Sequence, residues 1–393
     1  MPMSGGVPPL GRTVVLNKPD LGPILDRLWQ AGYTVIGPTI AQGAIVLDEV
    51  RRLDQLPIGW TDEQEGGTYR LKRRADGAYF GYVVGPHSWK KYLFPPQLSL
   101  FTLRRTQDSF QVQPNQEPVP RYAFLGARSC DLHAIEIQDR TFLYGPSVDP
   151  HYRARREGVF VIAVNCSQAA PTCFCTSMQT GPKAERGFDL ALTELPDAFI
   201  VEVATPRGAD LLAGLPYREA TGEELGAAAR VVRDTAASMK RRLDTRDLPE
   251  LLYNNLEHPR WDDVAKRCLS CTNCTMVCPT CFCHGIEDVP DLDGQRAERV
   301  RLWDSCFNPA HGYVAGGLVR PDIRSRYRQW LTHKLASWID QYGVSGCVGC
   351  GRCITWCPVG IDITEEVAAI RGSGGHEAVE RSGAGASQPE GSR

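Results

Sequence analysis

The sequence predicts an α+β protein: an N-terminal α/β-type domain, then a helical, cysteine-rich second domain. Three observations predict it. Short apolar runs bounded by turn residues alternate with helical stretches through the N-terminal part. The cysteines crowd into two regions, eleven between Cys268 and Cys357 and four between Cys130 and Cys175, with none in the first 129 residues. After Ile370 the chain turns to Gly, Ser, Glu and Ala with almost no large apolar residue. The expected division is therefore 1–250, 251–371 and a disordered tail at 372–393, with the first boundary soft near 245–260.

The elements follow in order. Asp20 is placed to cap a helix from Leu21 to Ala31 that stops before Gly32. Residues 34–36, 43–47, 68–72 and 79–84 read as strands. Arg121 to Cys130 reads as a buried strand running into a polar turn, with a helix from Asp131 onward. Val159 to Asn165 is a second buried strand, again ending at a cysteine. Residues 223–246, rich in Ala, Arg and Glu, read as a surface helix. Between the two late cysteine clusters a mostly helical insert is expected, with one helix over 321–342 stopped by Gly343.

Charge and hydropathy exclude several classes of function. With 44 basic and 46 acidic residues and 42% hydrophobic content, neither disorder nor nucleic-acid binding is expected. The apolar run at 158–165 is far shorter than the roughly 20 residues that cross a bilayer, so no membrane partner is expected. The first ten residues lack the charged start and apolar stretch of a secretory signal, which places the chain in the cytoplasm. Thiols there stay reduced, so fifteen cysteines point to metal or redox chemistry rather than disulfides. The chain shows no G-x-G-x-x-G after a strand, no phosphate loop and no H-E-x-x-H, and offers no catalytic triad.

The chemistry lies in Cys268, Cys271, Cys274 and Cys278-Pro279, and in Cys347, Cys350, Cys353 and Cys357-Pro358: two copies of C-x2-C-x2-C-x3-C-P. Three closely spaced thiolates can hold three corners of a [4Fe–4S] cube. A four-thiolate zinc site, the alternative, typically uses two separated pairs and has no use for a third close cysteine. The motifs resemble those of bacterial ferredoxins. That resemblance implies crossed ligation, Cys268, Cys271, Cys274 and Cys357 on one cluster and Cys347, Cys350, Cys353 and Cys278 on the other, although the second motif starts 69 positions after Cys278.

Cys281, Cys283 and Cys306 are surplus thiols that either pack or ligate. Arg324, Arg328, His333 and Lys334 share one side of the 321–342 helix, either as a solvated face or as charges that neutralise reduced clusters. The run 171–175, Pro-Thr-Cys-Phe-Cys, repeats 279–283 residue for residue. With Cys130 and Cys166, Cys173 and Cys175 complete four thiols for a third metal site, the alternative being structural thiols. His133 is a candidate ligand or hydrogen-bond partner there, or simply a structural histidine.

Cys268 to Cys283, Trp303 to Cys306, the Arg/His helix before Cys347-Val-Gly-Cys-Gly-Arg-Cys353, Gly126 to Leu132 and Ser88-Trp-Lys90 resemble the beta subunit of soluble NiFe hydrogenases, the sulfhydrogenases. The A subunit of anaerobic sulfite reductase is similar. The resemblance covers most of residues 70–365 and implies a ferredoxin-like second domain with two [4Fe–4S] clusters. It also implies an electron relay between hydrogenase large and small subunits and a flavin/NAD(P)-binding reductase subunit, with no bond chemistry of its own. The other reading that stays open is a cluster protein that itself reduces sulfur species or disulfides.

Overall fold

The apolar run after Gly158 lies inside a nine-stranded mixed sheet, and this sheet positions the N-terminal thiols. The structure, a computed structural model, describes residues 3–4, 6–114 and 118–382. In chain order the main strands are β1 (Met3–Ser4), β2 (Thr13–Asn17), β3 (Thr34–Ala41), β4 (Ala44–Glu49), β5 (Trp60–Glu65), β6 (Thr68–Arg73), β7 (Gln97–Arg105), β8 (Phe110–Pro114), β9 (Tyr122–Ala127), β10 (Phe160–Val164), β11 (Leu190–Glu194), β12 (Ala198–Val203), β13 (Pro216–Glu219), β14 (His284–Pro290) and β15 (Arg296–Trp303). The helices are α1 (Leu21–Gln30), α2 (Lys90–Leu93), α3 (Ser129–Phe142), α4 (Pro150–Arg156), α5 (Pro206–Leu212), α6 (Gly222–Ser238), α7 (Leu248–Asn254), α8 (Arg260–Ala265), α9 (Asn273–Met276), α10 (Ile323–Thr332), α11 (Trp338–Tyr342), α12 (Arg352–Thr355) and α13 (Ile363–Ser382).

The large sheet runs β1-β13-β2-β12-β11-β10-β9-β3-β4, and its neighbours from β3 through β9 and β10 to β11 are parallel. Leu125, Ile162 and Val164 face a core closed by α1 and α5, while Phe124, Val161 and Ala163 face a second core closed by α2 and α3. Burial on both faces is why these strands read as continuous apolar runs instead of alternating. The chain leaves β9 straight into α3, so Cys130 sits in the first turn of that helix and not at the strand end.

Several expectations change in the structure. Helix α1 forms as its apolar spacing predicts, with Leu21, Ile24, Leu25 and Leu28 buried. Asp20, however, does not cap it: it is itself helical and accepts from Asn17 at 3.1 Å. Residues 79–84 form no strand. Their backbone groups are met by side chains instead. Glu194 accepts from the N–H groups of Tyr79 and Phe80 at 2.7 and 2.8 Å, Asp62 accepts from Val83 at 2.7 Å, and Arg128 donates to the carbonyls of Phe80 and Tyr82.

The insert between the cysteine motifs opens with a hairpin rather than a helix. Strand β15 pairs with β7, giving a four-stranded sheet, β14-β15-β7-β8, that joins the late part of the chain to the early part. The charges of β15 hid this strand, because Arg301 is buried with its guanidinium 4.1 Å from the Phe94 ring centre and paired with Asp149. The 321–342 helix is continuous but has a π-helical turn at His333–Ser337. Helix α6 ends at Ser238, short of 246, and α13 runs on to Ser382, into the expected tail. Residues 383–393 of that tail lie outside the described residues. The late cysteines pack against a separate core that includes Trp261, Trp330, Leu335, Ile354 and Val367.

Candidate metal centres

The two cysteine loops are built alike. Ser270 and Thr272 in the first stand where Gly349 and Gly351 stand in the second, and all four have positive φ: 53° and 69°, then 64° and 77°. In each loop an N–H turns back on the first sulfur, Ser270 to Cys268 and Gly349 to Cys347, both at 3.4 Å. A third such donor, the Ile361 N–H, lies 3.3 Å from Cys357. Such donors stabilise thiolate over thiol. The second loop needs glycine for a further reason: a Cβ on Gly349 would lie 2.7 Å from the Cys175 backbone, and one on Gly351 would lie 2.5 Å from the Thr172 carbonyl. The N-terminal Pro171 to Cys175 loop is pressed against this motif, with the Phe174 N–H donating to the Gly349 carbonyl at 2.9 Å.

The fourth cysteine of the second motif lies beside the first motif. Cys357 lines one small cavity with Cys268, Cys271 and Cys274, closed by Phe307 and Trp330. Burial pushes the Cys274 thiol well up, and the charges that add to this belong to Cys268, Cys357, Cys271 and Cys278. The Cys353 thiol is pushed well up in the same way, by burial and then by Cys347, Cys350 and Cys278. Cys353 also touches the wall of the first cavity, but its nearest sulfur charges are those of the second set. Among the described residues no three Cys, His, Asp or Glu side chains gather closely enough to hold a single metal ion. A zinc site brings four donors to one atom, whereas an iron–sulfur group takes one thiolate at each separate iron. The donor set fits the second.

Buried cations surround the second set, and most of them escaped sequence reasoning. The Lys334 ammonium donates to the Cys278 sulfur at 3.2 Å and to the Gly346 carbonyl at 3.1 Å. Desolvation opposes its charge, but Cys278, Cys281 and further thiols hold its pKa well above the ordinary lysine value. Lys90 donates to the Cys281 carbonyl at 3.0 Å and sits 3.9 Å from the Trp303 ring centre; burial pulls its pKa down. Arg352 is fully buried, donates to Asp131 at 2.8 Å and to the Gly85 carbonyl at 3.1 Å, and lies beside Cys350. Of the four residues expected on one helix side, Arg324 and Arg328 pair with Glu257 at the surface, and His333 meets Gln341 at 3.3 Å. Only Lys334 reaches the thiols. Nothing in the helical period separates it from the others; its burial does.

The N-terminal thiols also gather. The Cys175 thiol is pushed up by burial and then by Cys166, Cys173 and Cys350; Cys130 is pushed up by burial, with Cys350 and Cys175 among its neighbours. They therefore stand beside the second motif rather than apart from it. His133 is not turned toward them: its charged neighbours are Glu136, at 4.0 Å, and Arg186. Among the surplus thiols, Cys281 lies 3.6 Å from the Lys334 ammonium, and Cys283 and Cys306 shift each other in opposite directions, the Cys283 thiol down and the Cys306 thiol up.

Comparison with known proteins agrees with this geometry. The family described as a 4Fe-4S dicluster domain matches residues 267–361. Sulfhydrogenase 2 subunit beta of Pyrococcus furiosus is 30% identical over 363 residues, covering 92% of this chain and 98% of that one. No solved structure matches. Two like-built cysteine loops inside a dicluster domain, in a chain aligned over 92% of its length with that relative, place this protein in the sulfhydrogenase beta-subunit family, as an iron–sulfur electron-transfer subunit with two [4Fe–4S] clusters.

Proposed function

We propose that the chain is the electron relay of a cytoplasmic, multisubunit NiFe hydrogenase. It passes electrons between hydrogenase large and small subunits and a flavin/NAD(P)-binding partner, and makes or breaks no substrate bond itself. Cys268, Cys271, Cys274 and Cys357 hold one cluster, and Cys347, Cys350, Cys353 and Cys278 the other. Cys130, Cys166, Cys173 and Cys175 hold a third group in the 1–250 region, next to Cys350. The bound groups supply reversible one-electron chemistry. The protein's part is to bury them, donate N–H groups to their sulfurs and set charge beside them.

The observation that carries this reading is Cys357 on the cavity wall with the first three cysteines of the other motif. Cys271 is exposed, as are Leu269 at 62% and Val359 at 36%, whereas the Cys278 end is buried. Exposure at one end and burial at the other supports a partner docking over the first loop. The test is iron and acid-labile sulfide analysis of anaerobically purified protein, with EPR after dithionite. Cys357→Ser and Cys278→Ser should each abolish a different cluster signal; loss of the same signal in both overturns the crossed assignment. Iron unchanged in Cys173→Ser overturns the third group.

A further inference from the structure

The hairpin of β5 and β6 forms a two-stranded sheet of its own. A lone hairpin keeps its shape and place only through what it packs on. This one packs on the spacer between Cys353 and Cys357, residue by residue. The Gly67 N–H, at the hairpin turn, donates to the Ile354 carbonyl at 3.1 Å. The Thr355 hydroxyl donates to Gln64 Oε1 at 2.9 Å, and the Trp356 ring stacks on Tyr69 with centres 5.1 Å apart. The hairpin side chains are themselves fixed. Gln64 is buried and donates to Asp62 at 2.6 Å and to the Val84 carbonyl at 3.0 Å, while the Tyr69 hydroxyl accepts from the Ile45 N–H at 3.0 Å.

The same hairpin shapes the turn that follows Cys357. There the Gly360 N–H donates back to the Cys357 carbonyl at 2.9 Å, and Gly360 has a φ of 63°. This turn brings the Ile361 N–H to the Cys357 sulfur at 3.3 Å. Gly66 and Gly67 lie against it backbone to backbone. A Cβ on Gly67 would stand 2.9 Å from the Cys357 carbonyl oxygen, and one on Gly66 would stand 3.5 Å from Gly360 Cα. No flexible side chain lies between the two turns to absorb a displacement, so a change in one is passed to the other.

We propose that Gln64, Gly67 and Tyr69 are positioning residues for Cys357: the hairpin sets where this sulfur stands, keeps the Ile361 N–H on it, and so sets the potential of the group that Cys357 binds. They act through the backbone of residues 354–361. An N–H on a cluster sulfur favours the more negative, reduced state, so loosening the hairpin lowers that potential. A segment far ahead of both cysteine motifs in the chain thereby tunes one centre and leaves the other alone. This rests on the proposed function only in taking Cys357 as a cluster ligand.

The test is an EPR-monitored redox titration of the anaerobic, cluster-loaded full chain, with Cys357→Ser marking, by its loss, the signal of the Cys357 group. In Gly67→Ala the ratio of reduced to oxidised centre at the wild-type midpoint should fall about tenfold for the marked signal, a shift of about 59 mV. The iron content and the other signals should stay as in the wild type. Tyr69→Leu should move the marked signal in the same direction, whereas Tyr69→Phe, which keeps a ring on Trp356, should leave it in place. Gly77→Ala, whose Cβ meets nothing within 4 Å, should match the wild type. A marked signal unmoved in Gly67→Ala and Tyr69→Leu overturns the proposal, and so does an equal shift of every signal. If Gly67→Ala does not fold, the two Tyr69 variants decide alone. Cys357→Ser without loss of any signal would sink the ligand reading and the proposal together, whereas an unmoved marked signal sinks the proposal only.

Discussion

The Lys334 ammonium, 3% exposed, lies 3.2 Å from the Cys278 sulfur. A positive charge fixed there favours whichever state of the nearby group carries more negative charge, and that is the reduced one. Lys334→Met should therefore lower the midpoint potential of the cluster proposed on Cys278, by roughly 50–100 mV, and leave the other nearly unmoved. An EPR-monitored redox titration reads this directly. Unaltered potentials would show that the ammonium is neutralised by something other than the cluster.

The two loops should respond oppositely to changes at matching positions. Gly351→Ala places a Cβ 2.5 Å from the Thr172 carbonyl oxygen at a positive φ, where neither side can give way. It should destabilise the protein by roughly 3–5 kcal/mol. Thr272→Gly, at φ 69° in the other loop, relieves a β-branched residue from the left-handed region and should stabilise by about 0.5–1 kcal/mol. Thermal midpoints under argon compare the two; a shift of the same sign would refute the packing argument.

Arg128 is the donor that lets residues 79–84 stay buried without a sheet partner. In Arg128→Met the carbonyls of Phe80 and Tyr82 lose it; Phe80 keeps the Tyr82 N–H at 2.9 Å, so the cost is roughly 1–3 kcal/mol, for the Tyr82 carbonyl. Hydrogen exchange followed by mass spectrometry should show the amides of 79–84 exchanging faster while those of β10 do not change. Protection equal to wild type would mean that Glu194 and Asp62 hold the segment alone.

The Arg352–Asp131 pair, 2.8 Å apart and almost without exposure, ties the second cysteine motif to the start of α3. Removing either partner strands a buried charge and should cost roughly 3–5 kcal/mol. Asp131→Asn combined with Arg352→Met should cost clearly less than the sum of the two single changes. A double-mutant cycle by denaturant unfolding measures it, and simple additivity would rule out coupling.

Much of the fold was legible where chemistry forces a local pattern. The Cys-Pro motifs can be read directly, because cluster binding dictates their spacing, and β9 and β10 announce themselves by burial on both faces. The 79–84 segment has the composition of a strand but not the partner, and only the distant Glu194, Asp62 and Arg128 explain where its hydrogen bonds go. Strand β15 was masked by charges that lie on aromatic faces or in ion pairs. Lys90, Arg128 and Arg352 look like ordinary surface residues in the sequence. Their burial is a tertiary fact, visible beforehand only in that Ser88-Trp-Lys90, Gly126-Ala-Arg128 and the Gly-Arg of the second motif fall within family-like runs.

The pairing of β15 with β7 bears on how the molecule can be cut. Leu292, fully exposed at the tip of the β14–β15 hairpin, offers a protease an easy target. Yet a nick there frees nothing, since both arms remain laced into a sheet whose other strands come from residues 97–114. Expressing the late cysteine region alone would instead strip β15 of its neighbour and bare an unpaired edge. The iron-bearing half is not a detachable module, and the spacing between its centres and the N-terminal thiols is fixed by backbone rather than by a hinge.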